Sequence, residues 1–309
     1  MNFLKIYIAG CIICLFMACS SDTDSDTPDV SETTDTEDVT DTTDTNDTTD
    51  TTPTVIEEVK KIISIESSFD NGTSFWKTNY DDKNRPTGYF NPENTLVNKY
   101  IYENEDNFTP SKKEFYTGGN LISTATYEYD SSKRLIKFIT GTTASNRSFE
   151  YSANSIIIRF DLLPSSYTKI ILDDQNRPIK MEDHDTTGDT DVITDTFDFT
   201  YENDNLIQLN KQDISFGINS YIINYTFDAK KNPFYNQFKE NNLNYILESS
   251  FDLEKRVLMV FSKNNFNTES LDQNSRTFEY NSDDYPVTIT NSYEEDNNLV
   301  DLEKITYQD

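Results

Sequence analysis

The oxygen donors with a metal-like spacing lie in "MEDHDTTGDTDVITD". Asp183, Asp185, Thr187 and Asp191 occupy the first, third, fifth and ninth positions of a calcium loop, with Gly188 at the sixth, where such a loop bends, and Asp189 at the seventh. The twelfth position is Thr194 where a bidentate glutamate belongs, and no flanking helices are expected. The stretch therefore reads first as an acidic hairpin tip, with a calcium loop over Asp183 to Asp191 as the lesser alternative, and no metal ligand is assigned. His184, the single histidine, is the only residue that could serve a Ser-His-Asp triad, but it sits in this polar stretch with no nucleophile elbow beside it and reads as part of a solvated loop. With 55 acidic residues, some carboxylate pair must fall at a glycosidase separation, so that signal has no weight, and "NYDD", "LDD" and "NSDD" read as turns. The expectation is no catalytic residue, no cofactor and no metal: a non-enzyme, with a carboxylate-driven glycoside hydrolase as the alternative.

A second chemistry is sugar stacking on aromatic faces. Phe75, Trp76, Tyr89 and Phe90, and further on Phe234 and Tyr235, are the candidates. Packing inside a sheet is the stronger expectation for each of them.

The elements that must position these residues begin after a processed leader. Residues 1–18 hold Lys5 and a nearly unbroken apolar run too short to span a bilayer, which reads as a secretory signal peptide. The run ends in Leu15-Phe16-Met17-Ala18-Cys19, a pattern that resembles a bacterial lipobox and makes Cys19 the lipidated N-terminus. Cys11, Cys14 and Cys19 are the only cysteines, so the processed chain cannot form an internal disulfide. "SSDTDSD" follows, and resembles the acidic export signal of Bacteroidota surface lipoproteins. Residues 20–55 hold twelve acidic residues, no basic residue and no large apolar residue beyond valine, which describes a disordered tether extended by its own charge. Asp-Thr-Thr recurs there, and the resemblance to the short Bacteroidota O-glycosylation sequon makes Thr42, Thr48 and Thr51 candidate acceptors; a low-complexity tract generates the same triplet by chance.

Residues 56–309 still carry a net charge near −18, from 43 acidic and 25 basic residues, which argues against nucleic acid or an anionic bilayer as a partner. "YEYDSSKRLIKF", Tyr127–Phe138, contains a motif that returns along this body: an aromatic, Asp, three polar residues, Arg, then an apolar residue or proline. Copies start at Tyr80, Tyr129, Leu172, Phe227, Phe251 and Tyr280, with a shortened one at Tyr201. Their flanks, among them "STATYEY", "SIIIRF", "YTKIIL", "TFDFTY", "YIINYTF", "RVLMVF", "RTFEY" and "PVTITNSY", are β-rich or alternate with period two, so each copy reads as strand, turn, strand. The Asp accepts turn N–H groups, and the residue before Arg (Asn84, Lys133, Asn176, Lys231 or Lys255) takes a positive φ. Arg then opens the returning strand, where it pairs with the Asp or covers the aromatic.

The motif resembles the YD repeats of Rhs-type bacterial proteins, with Asn, Lys or Asp where those have Gly, and often Pro where they have Leu. Taken with the leader and tether, the chain is similar to a family of Bacteroidota surface lipoproteins of unknown function with a porin-like β fold. The fold expected is all-β: a long antiparallel meander of repeated hairpins forming one sheet, coiled or closed into a barrel, after the disordered tether. A transmembrane barrel is the rival, opposed by a redundant lipid anchor and by charged strands such as "KKEFY". The resemblance implies an address and no activity: the outer membrane, lipid-anchored and exposed at the cell surface. The expected function is non-catalytic binding or adhesion toward a glycan or surface protein, by a monomer, with a structural surface role as a further alternative.

Overall fold

The computed structural model describes residues 60–103, 109–141, 145–188, 190–217, 219–235, 242–248, 253–271, 274–292 and 300–309. Eighteen strands follow one another: β1 (Ile62–Ser68), β2 (Trp76–Tyr80), β3 (Pro86–Phe90), β4 (Leu96–Ile101), β5 (Lys112–Thr117), β6 (Asn120–Tyr129), β7 (Leu135–Ile139), β8 (Arg147–Tyr151) and β9 (Ser155–Phe160), then β10 (Ser166–Leu172), β11 (Pro178–Asp185), β12 (Val192–Glu202), β13 (Asn205–Asp213), β14 (Tyr221–Lys231), β15 (Asn264–Glu269), β16 (Ser275–Tyr280), β17 (Pro286–Ser292) and β18 (Val300–Tyr307). Each pairs antiparallel with its sequence neighbours, and β1 pairs with β18 through Ile65↔Ile305 and Glu66↔Lys304. The meander is a closed barrel, which leaves no sheet edge to protect.

In a closed meander, alternate turns gather at the same end. The motif turns β2–β3, β6–β7, β10–β11 and β16–β17 therefore share one end with the chain's entry into β1 and its exit from β18. In three of them the chemistry repeats atom for atom. The Asp81 carboxylate accepts the N–H groups of Lys83 and Arg85 on one oxygen, both at 3.0 Å, and the Arg85 guanidinium on the other at 2.6 Å. Asp130 with Arg134 and Asp173 with Arg177 do the same. The residue before the arginine is left-handed, with φ of 59° at Asn84, 62° at Lys133 and 60° at Asn176.

The guanidinium then reaches a tyrosine of the next hairpin, not of its own motif. Arg85 lies 4.3 Å from the Tyr102 ring, Arg134 4.5 Å from Tyr151 and Arg177 4.5 Å from Tyr201. Each of these tyrosines donates its hydroxyl to the carbonyl just after that arginine: Tyr102 to Pro86, Tyr151 to Leu135 and Tyr201 to Pro178, all at 2.9 Å. At β16–β17 the polarity is relaxed: Asn281 replaces the Asp, Tyr285 packs its ring 5.6 Å from Tyr307, and Tyr307 donates to Pro286 at 2.8 Å. That turn also holds the chain's entry, since Lys60 pairs with Asp283 at 2.7 Å, while Asn84 of β2–β3 accepts the Ile62 N–H at 2.7 Å.

Two copies of the motif do not turn. The Phe227 copy stays in β14 through Lys231, which is not left-handed, because Asp228 is engaged laterally by the Tyr280 hydroxyl and the Asn265 N–H. The described part of the Phe251 copy and "RVLMVF" do not form a strand: Leu253–Phe261 is a helix, α2, placing Lys255 in helical conformation, while Phe251 and Asp252 lie outside the described residues. Val257, Leu258, Val260 and Phe261 bury one face of it, and Glu254 sits in its first turn, so 3.6-residue periodicity wins over β-propensity. With α1 (Asn242–Glu248) it forms an insertion between β14 and β15. Ile246, Leu247, Val257 and Val260 are fully buried in one cluster with Ile156, Ile170, Leu206 and Leu209 of the wall, so the helices fill the interior along β6–β14.

The wall alternates accordingly. Inward positions are apolar, as in the cross-strand pairs Tyr127–Phe138, Phe149–Ile158 and Ile170–Met181. The intervening outward positions carry Glu128 opposite Lys137, Glu150 paired with Arg159 at 3.0 Å, and Lys180 paired with Glu182 at 3.0 Å. A membrane-spanning barrel has the reverse pattern, an apolar outer band, and burying outward charges in lipid would cost roughly 2–4 kcal/mol per Arg or Lys at mid-depth. These outward charges argue against a lipid-facing wall at those positions.

Removing the hydroxyl in Tyr201→Phe is expected to lower stability by about 1 kcal/mol, because the buried Pro178 carbonyl loses its donor. Lys133→Asn is expected to raise it by about 0.5 kcal/mol by relieving left-handed strain. Urea unfolding of both variants checks the opposite signs.

Candidate functional site

The helical insertion brings charge into the lumen. Glu248, at the end of α1, accepts Lys113 Nζ at 3.1 Å and the Tyr127 hydroxyl at 2.9 Å, while Arg147 donates to its backbone carbonyl at 2.6 Å. Burial opposes ionisation of Glu248, but the charges of Lys113 and Arg256 and the hydrogen bonds from Lys113 and Tyr127 outweigh it, so its carboxyl titrates below the ordinary glutamate range. Arg147 is 3% exposed between the Phe138 and Phe160 rings, and burial pushes its guanidinium down to about 10. Beside this knot lies a cavity of about 30 Å³ lined by Tyr100, Tyr102, Tyr127, Tyr129, Tyr245 and Glu248. That is room for a few water molecules.

The structure relocates His184. It is not in a solvated loop: it lies in β11, 9% exposed, with its ring stacked 4.3 Å from Tyr167 and Nδ1 2.8 Å from Asp191. The proposed calcium loop is divided by the sheet itself. Asp183 points to the face of its partner Thr168, which donates to it at 2.6 Å, and burial pushes its carboxyl up. Asp191 serves the opposite face, accepting the Tyr167 hydroxyl at 2.5 Å as well as contacting His184. Asp185 is occupied by the N–H and hydroxyl of Thr187, and the Thr194 hydroxyl bonds the Asp183 carbonyl. Asp189 lies outside the described residues. Alternation along β11 thus prevents the donors from converging, a consequence of strand geometry that loop spacing alone does not reveal.

The aromatic candidates also resolve into packing. Trp76 and Tyr89 lie on inward positions and stack on each other at 5.4 Å. Phe75 is covered by Lys304 at 4.3 Å, and Phe234 packs on the cluster of Ile62, Ile65, Ile289 and Ile305. Phe90 and Tyr235 are partly buried. Cys19, Thr42, Thr48 and Thr51 lie outside the described residues.

What sequence reasoning missed is the rim opposite the motif turns. Exposed large apolar side chains collect on its connections: Phe69 between β1 and β2, Leu162 and Leu163 between β9 and β10, Ile214 and Phe216 between β13 and β14, and Leu271 between β15 and β16. Leu121 and Ile122 at the start of β6 and Val192 at the start of β12 adjoin them. Phe216 is 80% exposed. Neighbouring connections are bonded together, Thr186 N–H to Ser165 at 2.6 Å and Ile214 N–H to Thr194 at 2.8 Å, so these side chains stand on a tied base. Each residue is unremarkable singly in the sequence; the antiparallel meander brings them to one end.

No family model matches the chain, and no curated protein is similar to it in sequence. Among solved structures it is similar to a porin-like protein from Bacteroides uniformis, at 10% identity over 81% of this chain and 99% of that one, with a TM-score of 0.44. It is also similar to a porin-like protein from Bacteroides vulgatus, at 10% identity over 81% and 99% of the two chains, TM-score 0.32. A third similarity, to a chain of the TcdB2-TccC3-Cdc42 structure, has 13% identity and a TM-score of 0.30, and spans 71% of this chain but 12% of that one. The barrel's own surfaces decide the rest.

Because Glu248 ionises more readily folded than unfolded, its contribution is present above the ordinary carboxylate range and is lost as pH falls through its folded value. Glu248→Gln is expected to flatten the acid side of the stability–pH curve, and Glu248→Ala to cost about 3–5 kcal/mol at neutral pH by leaving Lys113 without its buried partner. Chemical unfolding across pH checks both. For the divided acidic loop, the expected melting temperature is the same in excess calcium as in chelator; a calcium-dependent rise would restore the loop as a site.

Proposed function

We propose that this chain is a surface-exposed lipoprotein that acts as a non-catalytic binding or adhesion module. The observation that supports binding is the collection of exposed apolar side chains at one end of the barrel, where nine of the twelve exposed large apolar residues among the described residues lie. Such a concentration is costly in water and belongs to interaction surfaces. A carboxylate glycosidase needs two carboxyl groups facing across a substrate-sized cleft. Glu248 is instead committed to Lys113 and Tyr127.

The address in this reading rests on the leader and on the polar wall. Cys19 is the lipid attachment point to the outer membrane, 20–55 is the tether, and Thr42, Thr48 and Thr51 are sugar acceptors along it. A barrel with charged outward positions needs such an anchor to stay with a membrane, because it has no lipid-facing band of its own. The described chain enters at the motif end, opposite the apolar rim. The ligand class in this reading is a glycan or a protein.

Replacing Cys19 with serine is expected to move the protein from the membrane fraction to the soluble fraction, and protease added to intact cells is expected to remove the barrel. Retention of the serine variant in the membrane, or survival of the barrel outside intact cells, would sink the anchored surface assignment.

A further inference from the structure

We infer that the rim opposite the motif turns docks a polypeptide presenting apolar side chains flanked by lysine or arginine. This deepens the binding-module reading and rests on it.

The first observation is the arc itself. Four consecutive rim connections, β9–β10 through β15–β16, place Leu162, Leu163, Val192, Ile214, Phe216 and Leu271 next to one another around the ring. They crown long strands: β12 and β14 have 11 residues each, whereas β2, β3, β7 and β8 have five. Only the middle of the arc is carried on long strands, since β9, β15 and β16 have six residues each; its base is tied by Thr186 N–H to Ser165 and Ile214 N–H to Thr194 of β12, so a partner meets a preformed surface.

The second observation is independent of the first. The nine rim connections contain no lysine or arginine anywhere in their sequence, whereas the connections at the motif end contain nine: Lys83, Arg85, Lys133, Arg134, Arg177, Lys239, Lys255, Arg256 and Lys263. Carboxylates remain at the rim, among them Asp70, Glu93, Asp161 and Asp191. An apolar surface on connections that carry carboxylates and no lysine or arginine is complementary to a cationic apolar partner and repels an anionic one, although Arg159 and Lys211 lie in the strands just below it, paired with Glu150 and Asp195. The same charge opposes a second copy of this chain and an anionic bilayer.

A sugar is less well matched. Its recognition uses flat aromatic faces, and the rim's arc is aliphatic apart from Phe216, while Trp76 and Tyr89 are stacked on each other inside the wall.

The test uses the full chain and three fluorescent amphipathic probes of equal length: a leucine–lysine peptide, a leucine–glutamate peptide and a serine–lysine peptide matched to the first in charge. Binding by anisotropy is expected for leucine–lysine, weakening with salt, and not for leucine–glutamate. It is expected to fall about tenfold or more in Leu163→Ser/Phe216→Ser, two exposed positions whose change leaves the unfolding midpoint in place. If that variant loses stability, Glu93→Gln/Asp161→Asn provides the second readout, with weaker binding and a shallower salt dependence. Equal binding of serine–lysine and leucine–lysine, or unchanged binding in both variants, would overturn the proposal. A glycan array run on the same proteins separates the two levels: rim-dependent glycan binding without peptide binding rejects the polypeptide partner and keeps the binding module, and no rim-dependent binding to either rejects both.

Discussion

Each motif turn depends on one carboxylate with two tasks. One oxygen of Asp81, Asp130 or Asp173 satisfies two backbone N–H groups of the turn, and the other fixes the arginine four residues on. A fixed guanidinium can only lie in one direction, and that direction is the tyrosine of the next hairpin, whose hydroxyl closes on the carbonyl beside the arginine. The contact energies are modest, about 0.5–2 kcal/mol for a cation over a ring and about 1 for the hydrogen bond. Their value lies in register: a slip by one residue would invert the inward and outward faces, and the clasp permits no slip. Repetition of one local device around the ring thus sets a non-local outcome, closure between β1 and β18.

Closure in turn decides which chemistry each side chain meets. The wall turns its apolar residues onto the helices α1 and α2 and its charges to water, the inverse of a barrel built for lipid. The helices bring Glu248 to Lys113, Tyr127 and Arg147, so the lumen is held by an ion pair as well as by packing. The same closure carries scattered loop residues to one rim, and that rim is where the protein has unpartnered apolar surface to offer.

Much of this was legible in the sequence for a physical reason: the motif is local. Asp, a left-handed residue and Arg act within five positions, so repeated "YEYDSSKRL"-like stretches expose turns, strand period and antiparallel meander together. The left-handed residues at Asn84, Lys133 and Asn176 follow from the same pattern. Lys231 and Lys255 show its limit. Asp228 is taken by a backbone N–H 37 positions away and a tyrosine hydroxyl 52 positions away, and α2 forms because its apolar face packs on the inner wall, and neither fact is written near those residues. His184 and the split calcium spacing fail in the same way, since the donors were counted along a loop that is in part a strand with two faces. The rim was invisible because its members are separated by whole hairpins and meet only once the ring closes.

Closure in water, with the register set by the clasps, is tested most directly by joining its last seam. With Cys11, Cys14 and Cys19 changed to serine, Glu66→Cys and Lys304→Cys place two thiols on directly paired, outward positions of β1 and β18. The account predicts rapid, near-complete intramolecular disulfide formation in the folded protein without detergent, and its loss in urea. Thiols that remain free in the folded state, or that link only between molecules, would mean that the sheet does not close and would contradict it.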